Sequence, residues 1–172
     1  MSREELFKRW LGEHKGVMFK VVRALAASPE DQDDLFQEIL LHLWSSIPSF
    51  DGRAKETTWI YKVALNTALV WKRAKKRRRR RHDILIAASN EVADTHRDAY
   101  DSTRDEQIVE RLYAAIRELP KIDGSIVLMY LDGLNYHEIS DILGISKSHV
   151  GVKLNRAKKQ LARSLKELID DF

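Results

Sequence analysis

The chain of 172 residues contains no cysteine. That excludes disulfides, thiolate metal sites and a cysteine nucleophile. Glycine and proline are scarce, at 7 and 3 residues. A many-turned β structure needs more of both, so the expected fold class is all-α. No apolar run approaches the ~18 residues that span a bilayer, and no membrane insertion is expected. The first residues, MSREELFKRW, are amphipathic and charged, unlike a signal peptide, so the expected location is the cytoplasm. There is no Gly-rich phosphate loop and no internal repeat. No cofactor is expected.

Hydrophobic residues make up 44% and charged residues 33%, which suits a folded, helix-rich protein. The net charge is only +4, but the basic residues are clustered, and local basic blocks point to a polyanion partner.

The most specific stretch is LNYHEISDILGISKSHVGVKLNRAKKQLAR, from Leu134 to Arg163. It predicts two helices joined by a tight turn. Asn135 is placed to cap the first, with Glu138 three residues on at capping-box spacing. Ile139, Ile142 and Leu143 follow at helical spacing. Gly144 breaks the helix and Ser146 caps the next one. At 100° per residue, Val150, Leu154, Ala157 and Leu161 fall on one side of that second helix. Ser148, Val152, Asn155, Arg156, Lys159 and Arg163 lie opposite. A small, polar and cationic face on the second helix of a helix-turn-helix fits the major groove of DNA. Arg and Asn can read base edges, Val can touch a thymine methyl, and Lys can hold phosphate. The alternative is a helical hairpin with a solvated basic face.

In chain order, Ser2 to Ala27 reads as a first helix, with Ser2 and Glu5 as a capping-box pair and Gly12 and Gly16 as points of interruption. Ser28-Pro29 opens a second helix, to about Ile47, whose first turns carry Glu30, Asp31, Asp33 and Asp34, where the helix dipole favours acids. These acids have no histidine nearby to complete a ligand set, so no metal site is expected. Leu35, Ile39 and Leu43 form the core side. Asp34, Gln37, Glu38 and Leu41 lie opposite, with Trp44 on the margin. An apolar residue among acids, away from the core, marks a surface that another protein covers; a wide apolar stripe inside a bundle is the other reading.

Pro48 to Lys55 is a loop turning at Asp51-Gly52. A helix from about Glu56 to Arg81 follows. Phe50, Arg53, Lys55, Trp59, Lys62 and Asn66 bring aromatic and cationic groups together, as opened nucleic acid requires: a stacking plane plus phosphate contacts. Trp59 and Tyr61 also read as core aromatics. Nine of the ten residues 72–81, KRAKKRRRRR, are Lys or Arg. This block, including Arg73, Lys76, Arg77, Arg78, Arg79 and Arg80, repels itself unless it meets an anion.

Composition then flips: His82 to Glu106 holds seven acids against two arginines. The expected division is a first helical domain over residues 1–84, a flexible linker over 85–103 and a second helical domain over 104–172. Ser102 or Thr103 begins a helix that Pro120 ends, and Lys121 to Asp132 forms a shorter one stopped by Gly133.

Two segments carry a family resemblance. DQDDLFQEILLHLW, residues 31–44, resembles region 2.2 of bacterial sigma factors, and residues 50–73 resemble regions 2.3 and 2.4. Residues 117–161 resemble region 4. The length, the two-part layout and the short linker are similar to the ECF (extracytoplasmic-function) class. The resemblance implies a non-catalytic subunit that binds core RNA polymerase, at the clamp of the largest subunit and the flap region, and directs it to promoter DNA. It implies that Asp34, Gln37, Glu38, Leu41 and Trp44 meet the polymerase. Phe50, Arg53, Lys55, Trp59, Lys62 and Asn66 would lie on the −10 strand. Ser146, Lys147, Ser148, His149, Val152, Asn155, Arg156 and Lys159 would read the −35 duplex. An anti-sigma factor is a further implied partner. Gly151 and Val152 depart from the basic or hydroxyl residues common there, so the −35 sequence is expected to be atypical. The Arg77–Arg81 run is heavier than the pattern requires.

Two rivals remain at this level. A free-standing helix-turn-helix regulator would use the arginine block as a second anchor. A nuclease or recombinase would need a nucleophile or paired metal carboxylates, and only the acids at 30–34 are candidates.

Overall fold

The computed structural model describes residues 2–87 and 104–170, and their regular structure is helical throughout. Helix α1 spans Arg3–Leu25. Its capping box is formed as expected: Ser2 Oγ accepts from the Glu5 N–H at 3.2 Å, and the Ser2 N–H donates to Glu5 Oε2 at 2.6 Å. Gly12 and Gly16 do not interrupt it. Both lie on its exposed side. Each costs about 1 kcal/mol of helix propensity. Trp10, Met18, Val21 and Leu25 are buried on the opposite side, and burying one such side chain is worth ~1.5–3 kcal/mol, so packing wins.

Helix α2, Pro29–Ser46, starts where Ser28 Oγ accepts from the Asp31 N–H at 3.2 Å, and it buries Leu35, Ile39 and Leu43. A 3-10 turn, Ile47–Ser49, leads into the loop. Helix α3 runs Glu56–Ala87, past Arg81 and into the stretch that the charge reversal marked as linker. No glycine or proline stands between His82 and Ala87, so the sign of the charge changes without a break in the backbone. The rest of that stretch, including the expected helix start at Ser102 or Thr103, lies outside the described residues.

The second half comprises α4 (Arg104–Glu118), α5 (Lys121–Leu131), α6 (Tyr136–Leu143) and α7 (Lys147–Asp170). Gly133 follows α5 at φ 83°, a conformation that glycine adopts without a Cβ penalty.

The two halves are packed on each other. Helix α1 lies against α2 and α3 on one side and against α4 and α5 on the other, while α3 also meets α6. One buried cluster therefore runs from Trp10, Leu35 and Tyr61 through to Ile126, Met129 and Leu154.

Candidate nucleic-acid and polymerase interface

The helix-turn-helix is built by its caps. Asn135 Oδ1 accepts from the His137 and Glu138 N–H groups at 2.9 and 3.0 Å, and Glu138 Oε2 accepts from the Asn135 N–H at 3.0 Å. Gly144 closes α6 at φ 67°. In the turn, Ser140 Oγ donates to the Ile145 carbonyl at 2.7 Å. Ser146 Oγ then accepts from the His149 N–H at 3.2 Å, capping α7.

Val150, Leu154, Ala157 and Leu161 are buried. Ser146, Lys147, Ser148, His149, Val152, Asn155, Arg156 and Lys159 are all exposed, Val152 at 68%. Val152, Asn155, Arg156 and Lys159 line one shallow groove with Gln160 and Arg163. Gln160 was missed by the sequence reading, although it stands one turn beyond Arg156. Two cations pointing away from this groove are occupied: Lys153 donates to Asp123 at 2.9 Å, and Lys158 lies 3.9 Å from the centre of the Tyr130 ring. Arg156 and Lys159 have no such partner among the described residues. Gly151 has a steric reason. A Cβ there would stand 3.3 Å from Tyr136 Cε2, so the glycine lets the Tyr136 ring lie against α7.

On α2, Asp34, Gln37, Glu38 and Leu41 are exposed together, Leu41 at 63%. Trp44 departs from the expectation of an exposed margin. The Phe7 ring meets it edge-on at 5.2 Å, and the Arg3 guanidinium lies 4.2 Å from its centre. Arg3 also donates to the Trp44 carbonyl. Arg3 and Phe7 of α1 cover part of this indole, an arrangement that the period of α2 alone does not reveal.

The loop before α3 holds an aromatic cluster. Phe50 lies 5.2 Å from Trp10 and 5.5 Å from Trp59 between ring centres, and Trp59 Nε1 donates to Ser46 Oγ at 3.2 Å. Phe50 and Trp59 are thus half-buried, sharing the core role with an exposed edge. Arg53 is paired with Asp51 at 2.5 Å, and its guanidinium holds that carboxyl below the usual range. Lys55 is paired across the halves with Glu138 at 2.7 Å. Lys62 and Asn66 are exposed one turn apart.

The basic block divides around its helix. Arg73, Lys76, Arg77 and Arg80 line a groove with Val70, whereas Arg78 turns to a second groove between α2 and α3 that also holds Glu38 and Asn66. Arg79 is exposed. Val70, 56% exposed, links the two grooves and was not singled out in the sequence. Lys75 pairs with Asp31, so one of the helix-start acids answers the basic block. Burial, then neighbouring Arg79 and Arg78, lowers the Lys75 ammonium from its ordinary value.

Glu13, His14 and Glu56 also come together, within 4.8 Å of one another, a grouping invisible in the sequence because α1 and α3 supply it jointly. Arg9 donates to Glu56 at 2.5 Å, so one of the two carboxylates is already paired with a guanidinium.

Residues 10–78 match the family model for sigma-70 region 2, and residues 109–161 match that for sigma-70 region 4. The ECF RNA polymerase sigma-E factor of Haemophilus influenzae is 29% identical over 170 residues, covering 95% of this chain and 87% of that protein. The sigma factor RpoE of Bartonella quintana, solved in complex with the anti-sigma factor NepR, shares the fold at a TM-score of 0.66 and 18% identity, over 93% of this chain and 96% of that one. CnrH, solved in complex with the cytosolic domain of CnrY, does so at 0.68 and 16%, over 95% of this chain and 90% of that one. Two family matches in this order set aside the free-standing regulator. The chain belongs to the sigma-70 family and is a promoter-recognising sigma factor of the ECF class.

Proposed function

We propose that this sigma factor divides its work between its two halves and performs no catalysis of its own. Helices α1–α3 dock on core RNA polymerase and capture the −10 strand; α4–α7 read the −35 duplex. The outward face of α7 carries the reading: a row of exposed polar and cationic groups on a helix whose opposite side is buried. Arg156 and Asn155 are the base-reading residues, Val152 supplies an apolar contact suited to a thymine methyl, and Lys159 holds phosphate. With Gly151 and Val152 in place of longer polar side chains, the preferred −35 sequence is an atypical one.

On α2, Asp34, Gln37, Glu38 and Leu41 form the polymerase contact, with Trp44 as its half-buried support. Strand opening costs unstacking energy, and stacking on exposed aromatic surface plus polar and cation contacts offsets it. Phe50 and Trp59 supply the aromatic surface, and Arg53, Lys55, Lys62 and Asn66 the polar contacts. The basic block follows the adjoining phosphates, each neutralised contact releasing counterions. The place of action is the cytoplasm, where promoters are. An anti-sigma factor that covers the exposed Leu41 and Val70 is a fitting partner, since the similar RpoE structure was solved in complex with one.

Run-off transcription with bacterial core polymerase on sheared genomic DNA, with and without this protein, tests the reading. New discrete starts sharing upstream motifs are expected. No new starts, together with a specific footprint by the protein alone, would overturn it.

A further inference from the structure

We propose that Glu13, His14 and Glu56 form a site for one divalent transition ion of the zinc class, and that the bound ion braces α1 against the first turn of α3.

The site takes its donors from two helices. His14 Nε2 stands 3.7 Å from Glu56 Oε2 and 4.0 Å from Glu13 Oε2, and one donor atom from each residue lies within 4.8 Å of the others. Zinc held tetrahedrally at about 2.1 Å from nitrogen and oxygen sets its ligands roughly 3.4 Å apart. The two His14 separations exceed this by about 0.3 and 0.6 Å, which small side-chain rotations close. The His14 and Glu56 side chains are only 19% and 25% exposed, so packing holds two of the three donors in place. The more exposed Glu13 is the one that swings inward.

The donors are available. Glu56 Oε2 and His14 Nε2 have no hydrogen-bond partner among the described residues. Arg9 takes the other Glu56 oxygen at 2.5 Å and stays 3.8 Å from Glu13. A ligating carboxylate is commonly hydrogen-bonded by an outer partner that orients it, and Arg9 stands in that place. The guanidinium offsets one of the two carboxylate charges; with a neutral imidazole, the second remains for a cation. Gly16, three residues past Glu13 and so on the same face of α1, puts no side chain over the approach.

The donor set names the ion. An imidazole beside two carboxylates suits zinc and its neighbours, whereas magnesium and calcium take oxygen ligands. Three protein donors leave a fourth position to water. Two other histidine–carboxylate pairs, Glu38 with His42 at 3.8 Å and His137 with Asp141 at 3.6 Å, each lie on one exposed helix turn and bring two donors only. Glu56 opens α3 directly after the loop, and Trp10, one turn before His14, meets Phe50 of that loop at 5.2 Å. The ion therefore sits where the loop joins both helices.

Equilibrium dialysis of the full-length, untagged chain against Zn²⁺ tests the site, with Co²⁺ absorption reporting the coordination. One equivalent of Zn²⁺ is expected to bind, with a tetrahedral Co²⁺ spectrum. A hundredfold excess over Kd should raise the melting temperature by several degrees. His14→Ala should weaken binding at least about tenfold. Glu13→Gln should do the same while leaving the Arg9–Glu56 pair intact. His42→Ala should leave binding unchanged. Thermal unfolding in chelator checks that each variant is folded. No bound equivalent in the parent, or binding unchanged in both His14→Ala and Glu13→Gln, would overturn the site. Mg²⁺ displacing Zn²⁺ at equal concentration would overturn the assigned ion class. Full binding with an unmoved melting temperature would overturn the bracing.

Discussion

The outward face of α7 and the loop leading into α3 are both assigned to DNA, yet they are built in opposite ways. On α7 the cations turned away from the groove are engaged, Lys153 with Asp123 and Lys158 with Tyr130, and Arg156 and Lys159 on the outward face have no such partner among the described residues. On the loop the order is reversed. Arg53 is held by Asp51, Lys55 by Glu138, and Phe50 and Trp59 pack on each other. A duplex presents a groove of fixed width, so its reader can be rigid and ready before contact. A single strand has no fixed shape and must first be unstacked, so its contacts must be released when the strand arrives.

The largest effect is expected on the ready surface. Arg156→Ala should cost about 1–3 kcal/mol of promoter discrimination, a loss of roughly fivefold to more than a hundredfold in transcription from a −35-dependent promoter. Its melting temperature should hold, because exposed substitutions away from caps and core usually stay within about 0.5 kcal/mol. An Arg156→Ala protein with unchanged promoter use would break the comparison at its stronger end.

A smaller effect sharpens the other end. Lys62 is exposed and unpaired among the described residues, and Lys55 is paired. In the free chain, Lys62→Ala should lower the salt slope of single-strand binding by about 0.7, the value for one phosphate contact on a single strand. Lys55→Ala should change it less. Titrations of a labelled oligonucleotide at several salt concentrations decide this, and equal losses from both would mean that the Lys55–Glu138 pair does not compete with the strand.

How far these surfaces were legible depended on how local their causes are. The helix-turn-helix was fully written in the chain, because Asn135, Glu138, Gly144 and Ser146 act within a few residues of their targets. The exposure of Asp34, Gln37, Glu38 and Leu41 followed from the period of a single helix. Trp44 did not, because what covers it, Phe7 and Arg3, comes from another helix. The continuity of α1 through Gly12 and Gly16 was equally hidden, since local propensity argued for a break and only packing argues against it. The cross-half pairs of Asp132, with Lys20 and Tyr61, and of Glu138, with Lys55, lay furthest from view. Their partners stand 112, 71 and 83 residues away, and no pattern in the sequence matches them to one another.

The smallest expected effect is on acidification. Hydrogen bonds from Lys55 and from the Asn135 N–H, with the charges of Lys55 and His137 nearby, hold the Glu138 carboxyl below its ordinary 4.5. A carboxyl whose pKa is lower with the halves packed contributes stability above its ordinary value and loses it as the pH falls through the lowered one. Glu110, drawn down by Arg117 and Arg23 against the opposing effect of burial, loses its pairing with them in the same direction. The packing of the two halves should therefore weaken as the pH falls through and below the ordinary carboxyl range, read by energy transfer between them. Glu138→Gln should make that weakening shallower without abolishing it, because Glu110 still titrates. If Glu138→Gln left the acid limb unchanged, the Lys55–Glu138 pair would contribute nothing to the packing, and the loop into α3 would be as ready for DNA as the face of α7.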